Sequence, residues 1–180
     1  MKNSSVLGRF RKGLYFMLVK KITLLSLYTA LALIIFIVES ALPALAPLPF
    51  IKLGLANVVT LIVLVLYSPK DAFIVFILRI VLASVFAGQI VYMIYSLCGG
   101  LLCFFADYLI NKILKGKYIY ITSIFGAIFH NIGQMTAAVF FMGTGVLPYF
   151  PYMIISGIVT GLFTGILANL LVYRLKNIHI

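Results

Sequence analysis

The chain has 180 residues, 64% of them hydrophobic and 9% charged, with a mean hydropathy of +1.23. A soluble domain carries about a quarter charged residues, so a water-soluble fold is excluded and an integral membrane protein without a separate soluble domain is expected. The net charge of +11 does not point to nucleic acid. The cations cluster at the ends of apolar runs, a pattern that orients a chain in a bilayer.

Residues 1–21 are basic and partly apolar, with no small-residue cleavage site, and are not read as a signal peptide. An interfacial amphipathic helix or a basic tail is expected there. A six-helix transmembrane domain is expected over residues 22–175, with a short tail at 176–180. A spanning helix takes about 20 apolar residues, fewer where one end is re-entrant. Helix one is expected over Ile22–Leu42. The stretch Pro43–Val59, PALAPLPFIKLGLANVV, follows with three prolines and then Lys52, Gly54 and Asn57. It reads as a loop that dips back into the bilayer and begins a short helix two, Leu53–Tyr67. Ser-Pro-Lys-Asp then forms a turn and N-cap, and helix three runs Ala72–Ala87. Helices four, five and six are expected over Ile90–Ile113, Ile119–Met142 and Leu147–Leu175. The fold class is all-α, a polytopic six-helix bundle.

Six alternating spans place Lys2, Arg9, Arg11, Lys12, Lys20, Lys21, Lys70, Lys112, Lys115, Lys117, Arg174 and Lys176 on one side. The other side has only Lys52. By the positive-inside rule both termini are cytoplasmic in a multi-pass cell-membrane protein. Gly157, Gly161 and Gly165 in helix six form a small-residue face. Such a face packs closely against another helix, within the protein or in a partner. Ser26 and Ala30 repeat the device more weakly in helix one.

Polar side chains at membrane depth are costly and are functional candidates. Glu39, Lys52, Asn57, Arg79, Gln89, His130, Asn131 and Gln134 fall in the outer half or at the midplane. They are expected to form a pocket open to the outside. Lys52 and Arg79 would hold an anion, the amides would supply directional hydrogen bonds, and Tyr92, Tyr95 and Tyr149 would wall the pocket. Duller readings stay open. Lys52 snorkels to the interface; Arg79 pairs with Glu39; His130 is a satisfied core histidine; Asn131 and Gln134 join helices. Asp107 lies near a helix end, within reach of the lysines that follow it. Cys98 and Cys103 are about 140° apart on a helix and read as packing residues.

Catalysis finds no motif. There is no paired carboxylate, phosphate-binding glycine loop, metal-ligand cluster or nucleophile elbow. The chain is not expected to be an enzyme by itself, or to carry a cofactor or metal.

The strings PFIKLGLANVVTL, LRIVLASVFAG, YSLCGGLL, GAIFHNIGQ and SGIVTGLFTGILANL resemble the family called heptaprenyl diphosphate synthase component I, also called the Gx transporter family. The resemblance covers residues from about Lys20 to Leu175. That family is similar to the S components of energy-coupling-factor (ECF) vitamin transporters. The resemblance implies six helices, cytoplasmic termini and capture of a small molecule from outside. It also implies docking on a transmembrane coupling subunit driven by ATPase subunits. S components dock through small residues at four-residue spacing on helix one, and Ser26 and Ala30 match that pattern. The expected function is substrate capture for an ATP-driven importer, the substrate being a small, anionic vitamin or a quinone or isoprenoid precursor. The alternative is a non-catalytic membrane accessory of polyprenyl (heptaprenyl) diphosphate synthase in quinone biosynthesis. A self-contained secondary transporter or channel is the third reading. Membrane lipid is a partner in each.

Overall fold

The structure, a computed structural model, describes residues 2–41, 52–87 and 90–177, with side chains from residue 15 onward apart from 41, 87 and 92. Among the described residues six α-helices follow in order: α1 (Lys2–Ala41), α2 (Asn57–Leu66), α3 (Pro69–Ala87), α4 (Ile90–Leu114), α5 (Ile119–Met142) and α6 (Phe150–Asn177). A 3-10 turn, Thr144–Tyr149, leads into α6, and no strand occurs among these residues.

Four helical stretches are long and apolar enough to cross a membrane: Tyr15–Ser40, Met93–Leu114, Ile119–Met142 and Thr144–Asn177. The other two helices differ for visible reasons. α2 has only 10 residues. α3 has 19 and carries Lys70, Asp71 and Arg79. α5 begins and ends where its apolar run does; Gly143, at φ +80°, closes it by donating its N–H to the Val139 carbonyl. The basic N-terminal segment is helical and continuous with the first span. It contains no proline to break the run.

The α3 start is capped by its own sequence. Ser68 Oγ accepts the Asp71 N–H at 3.3 Å and donates to Asp71 Oδ2 at 2.7 Å. Pro69 takes the first helical position, where its missing N–H costs nothing. Asp71 Oδ1 also meets Lys21 Nζ at 2.8 Å, which ties the basic part of α1 to the start of α3.

Past Asn57, α2 is apolar apart from Thr60 and sits inside the bundle. Val58 to Leu64 are all buried, and the helix touches α1, α3, α4 and α6. A helix without a polar face is stable only when surrounded. α4, α5 and α6 pack as antiparallel neighbours held close by small residues. A Cβ at Gly133 would lie 2.3 Å from the Cys98 carbonyl oxygen of α4. On α6, a Cβ at Gly161 would lie 2.7 Å from Ile124 Cα, and one at Gly165 2.6 Å from Tyr120 Cα. The helix-six glycines therefore face α5 inside the protein. α1 keeps an uncovered apolar face with Leu27, Ile34 and Val38 outward. Ser26 and Ala30 are exposed on the same helix.

Candidate functional site

Three residues before α2, Gly54 turns the chain into the bundle at φ +79°, a left-handed conformation that side chains resist. Its N–H donates to Glu39 Oε1 of α1 at 2.6 Å. Glu39 is buried and forms no ion pair with Arg79 among the described residues. A backbone amide, not the guanidinium, therefore supplies its direct hydrogen bond. Lys52, two residues earlier, donates to Ser40 Oγ and lies 3.6 Å from the Phe36 ring centroid. Ser40 in turn donates to the Phe36 carbonyl at 2.6 Å. Lys52 stands outside the helices. Its partial burial lowers the ammonium pKa to about 8, against the opposing pull of Glu39.

Asn57, the first residue of α2, is the junction. Its Oδ1 accepts from Arg79 Nη2 of α3 at 3.0 Å, and its Nδ2 lies 3.1 Å from His130 Nδ1 of α5. An amide nitrogen only donates, so His130 Nδ1 must accept and its proton must be on Nε2. Gln134, one turn along α5, completes the pattern with its carboxamide oriented to satisfy both ends. Its oxygen accepts from His130 Nε2 at 3.1 Å, and its nitrogen donates to the Lys52 carbonyl at 3.0 Å. Arg79, Asn57, His130 and Gln134 then donate in sequence toward the Lys52 carbonyl, and the Lys52 N–H donates back to the Gln134 oxygen at 3.3 Å. Bonds aligned head to tail polarise one another in a low-dielectric interior. The arrangement fixes a neutral histidine tautomer.

Arg79 is 4% exposed and its Nε has no hydrogen-bond partner. The Phe76 ring, 5.8 Å from the guanidinium carbon, covers one side. The site thus holds a deeply buried cation with a donor left over.

The structure brings Glu39, Lys52, Asn57, Arg79, His130 and Gln134 into one cluster. Asn131 is turned away from it and donates to the Met153 carbonyl of α6 at 2.6 Å, joining two helices. Gln89 lies outside the described residues, as do the Tyr92 side chain and most of the proline-rich stretch. Tyr95 is buried and stacks on Phe141 at 5.9 Å, whereas Tyr149 is exposed. Asp107 does not meet the following lysines; it is buried and its Oδ2 accepts from Cys103 Sγ at 3.6 Å. Sequence reasoning missed Phe36, Ser40 and Gly99. The last gave a signal, since paired glycines inside a helix destabilise it unless something needs the space. A Cβ at Gly99 would lie 2.9 Å from the His130 ring and from Gln134 Cγ.

A family model described as heptaprenyl diphosphate synthase component I matches residues 28–171 of the chain. No curated protein and no solved structure matches it.

Proposed function

The chain belongs to the heptaprenyl diphosphate synthase component I family, and from that premise we propose that it is a membrane substrate-capture subunit resembling an ECF transporter S component. In this reading it is a six-span cell-membrane protein with both termini cytoplasmic. It takes a small anionic vitamin or quinone or isoprenoid precursor from outside and hands it to a coupling subunit driven by ATPases. It carries no catalytic machinery of its own. The observation behind this reading is Arg79: fully buried, not ion-paired with Glu39, and with Nε unpartnered. A guanidinium in that state suits an incoming carboxylate or phosphate oxygen. Lys52 stands at the entrance to the same cluster. The exposed Ser26 and Ala30 on α1 supply the surface for the coupling subunit.

The family description supports a second reading, a non-catalytic partner of a polyprenyl diphosphate synthase subunit. Native mass spectrometry of the gently purified protein separates the two. A small anionic ligand together with an ATPase module supports capture. A prenyl synthase without any ATPase overturns it. In the capture reading, Lys52→Ala/Arg79→Met abolishes ligand retention, and Ser26→Leu/Ala30→Leu loses the ATPase module while keeping the ligand. Unchanged ligand affinity in the first variant refutes the assigned site.

A further inference from the structure

A second polar site lies deeper in the bundle, on the other side of Asn57. Between α2, α4, α5 and α6 there is a cavity of about 20 Å³, lined in part by Asn57, Cys103, Asp107, Ser123, Thr160 and Thr164. About 10–15 Å³ suffices for one water-sized occupant. Asp107 is 3% exposed and its Oδ1 has no hydrogen-bond partner. That oxygen rests over Gly126 of α5, where a Cβ would come within 2.1 Å of it. The fold has thus left room for the carboxylate without giving Oδ1 a donor.

The hydroxyls around it are already committed as donors. Thr160 Oγ1 donates to the Ser156 carbonyl at 2.7 Å, and Thr164 Oγ1 to the Thr160 carbonyl at 2.8 Å. Ser123 Oγ is 2.9 Å from Thr164 Oγ1, so Ser123 must be the donor in that pair. Cys103 directs its S–H to Asp107 Oδ2. Asn57 has one amide hydrogen on His130, and only its second is uncommitted. What the three hydroxyls can still offer the cavity is oxygen lone pairs, beside a carboxylate oxygen that lacks a donor. A buried carboxylate needs a compensating positive charge or a hydrogen bond. One carboxylate and three hydroxyls fall short of the six to eight oxygens typical of Ca²⁺ and of the octahedral shell of Mg²⁺. The discriminating feature is charge: the lining holds one carboxylate, which one monovalent cation with hard oxygen preference balances and a divalent ion exceeds.

We infer that the cavity bounded by Asp107, Ser123, Thr160 and Thr164 is a binding site for one monovalent cation of Na⁺ size. Its occupancy is linked to the outer cluster through Asn57, which lines the cavity and also holds Arg79 and His130.

The test needs no substrate, so it stands or falls independently of the capture reading. Thermal unfolding of the purified full chain in dodecyl maltoside is compared in NaCl, KCl and choline chloride at equal ionic strength. The expected result is a saturable rise of about 5 °C or more in NaCl over choline. Asp107→Asn abolishes the rise, and Thr164→Val raises the half-saturating Na⁺ concentration at least about tenfold, on the order of 1.4 kcal/mol. Equal midpoints in all three salts overturn the inference and assign the cavity to a water or to a proton on Asp107. A Na⁺ effect that survives in Asp107→Asn also overturns it. Should Asp107→Asn fail to fold, Thr164→Val decides, and an unchanged half-saturating concentration refutes the site.

Discussion

Asn57→Ala tests the hydrogen-bonded cluster at its junction. The substitution removes the acceptor for Arg79 Nη2 at 3.0 Å and the donor for His130 Nδ1 at 3.1 Å. A hydrogen bond to a charged group contributes about 1.5–3 kcal/mol and a neutral one about 0.5–1.5. Membrane-protein cycles give less, about 0.6 kcal/mol per bond on average and up to about 1.7, because the separated partners find substitutes. Substitutes are scarce here, since Arg79 is 4% exposed and its Nε already lacks a partner. The upper range therefore applies, and we expect a loss of about 2–4 kcal/mol. Asn131→Ala is the internal comparison. It loses one neutral bond, to the Met153 carbonyl, and should cost about 0.5–1.5 kcal/mol. Reversible unfolding in mixed dodecyl maltoside and SDS micelles measures both. The double variant Asn57→Ala/Arg79→Met should cost less than the sum of its parts by more than about 1 kcal/mol, because the stranded cation is gone. The reasoning fails if Asn57→Ala is no worse than Asn131→Ala. It also fails if the two Asn57 and Arg79 effects add within about 0.5 kcal/mol.

Gly54→Ala should destabilise by about 2–3 kcal/mol, combining left-handed strain with a Cβ pressed against Asn57 and His130. Gly143→Ala meets nothing within 4 Å of its Cβ, but φ +80° with ψ −179° is a conformation kept essentially to glycine, so backbone strain alone should cost about 1–3 kcal/mol in the same unfolding assay. Gly133→Ala would set a Cβ 2.3 Å from the Cys98 carbonyl oxygen. It should lower the folded yield on size-exclusion chromatography, whereas Gly145→Ala, which meets nothing within 4 Å, should not. Lys52, lowered to about 8 by burial, is charged below that pH and neutral above it. Anion retention should therefore weaken as pH rises through about 8, and Lys52→Met should remove that step; a step that persists in the variant assigns it to another group.

How much of this was legible in the sequence varies with the kind of interaction. The limits of α5 could be read from an apolar run closed by Gly143, a local signal. The extension of α1 back to Lys2 could not, because a basic segment without proline is compatible with either a helix or a tail. The members of the buried cluster announced themselves as polar residues in apolar runs, but their partners did not. His130 and Asn131 are neighbours in sequence and about 100° apart around α5, so one meets Asn57 and the other meets α6. Asp107 looked close to the lysines along the chain. The hollow at Gly126 that receives it depends on the register between α4 and α5, which no single-helix pattern encodes.

The direction of the hydrogen-bonded chain also constrains how a ligand can enter. Asn57 Oδ1 is the one hydrogen-bond acceptor that the described structure gives the Arg79 guanidinium. A ligand oxygen that engages Nε or an uncommitted Nη N–H adds a bond without breaking one, whereas a ligand that takes the Nη2 N–H already given to Asn57 must displace it. Displacement would free Asn57 Oδ1 while its Nδ2 remains on His130, so the cluster loosens at one end only. The displacing case therefore predicts that ligand affinity rises in Asn57→Ala, where the competing acceptor is absent, even as the unliganded protein becomes less stable. The non-displacing case predicts that affinity falls with stability. Isothermal titration of wild type and Asn57→Ala with the retained ligand distinguishes the two.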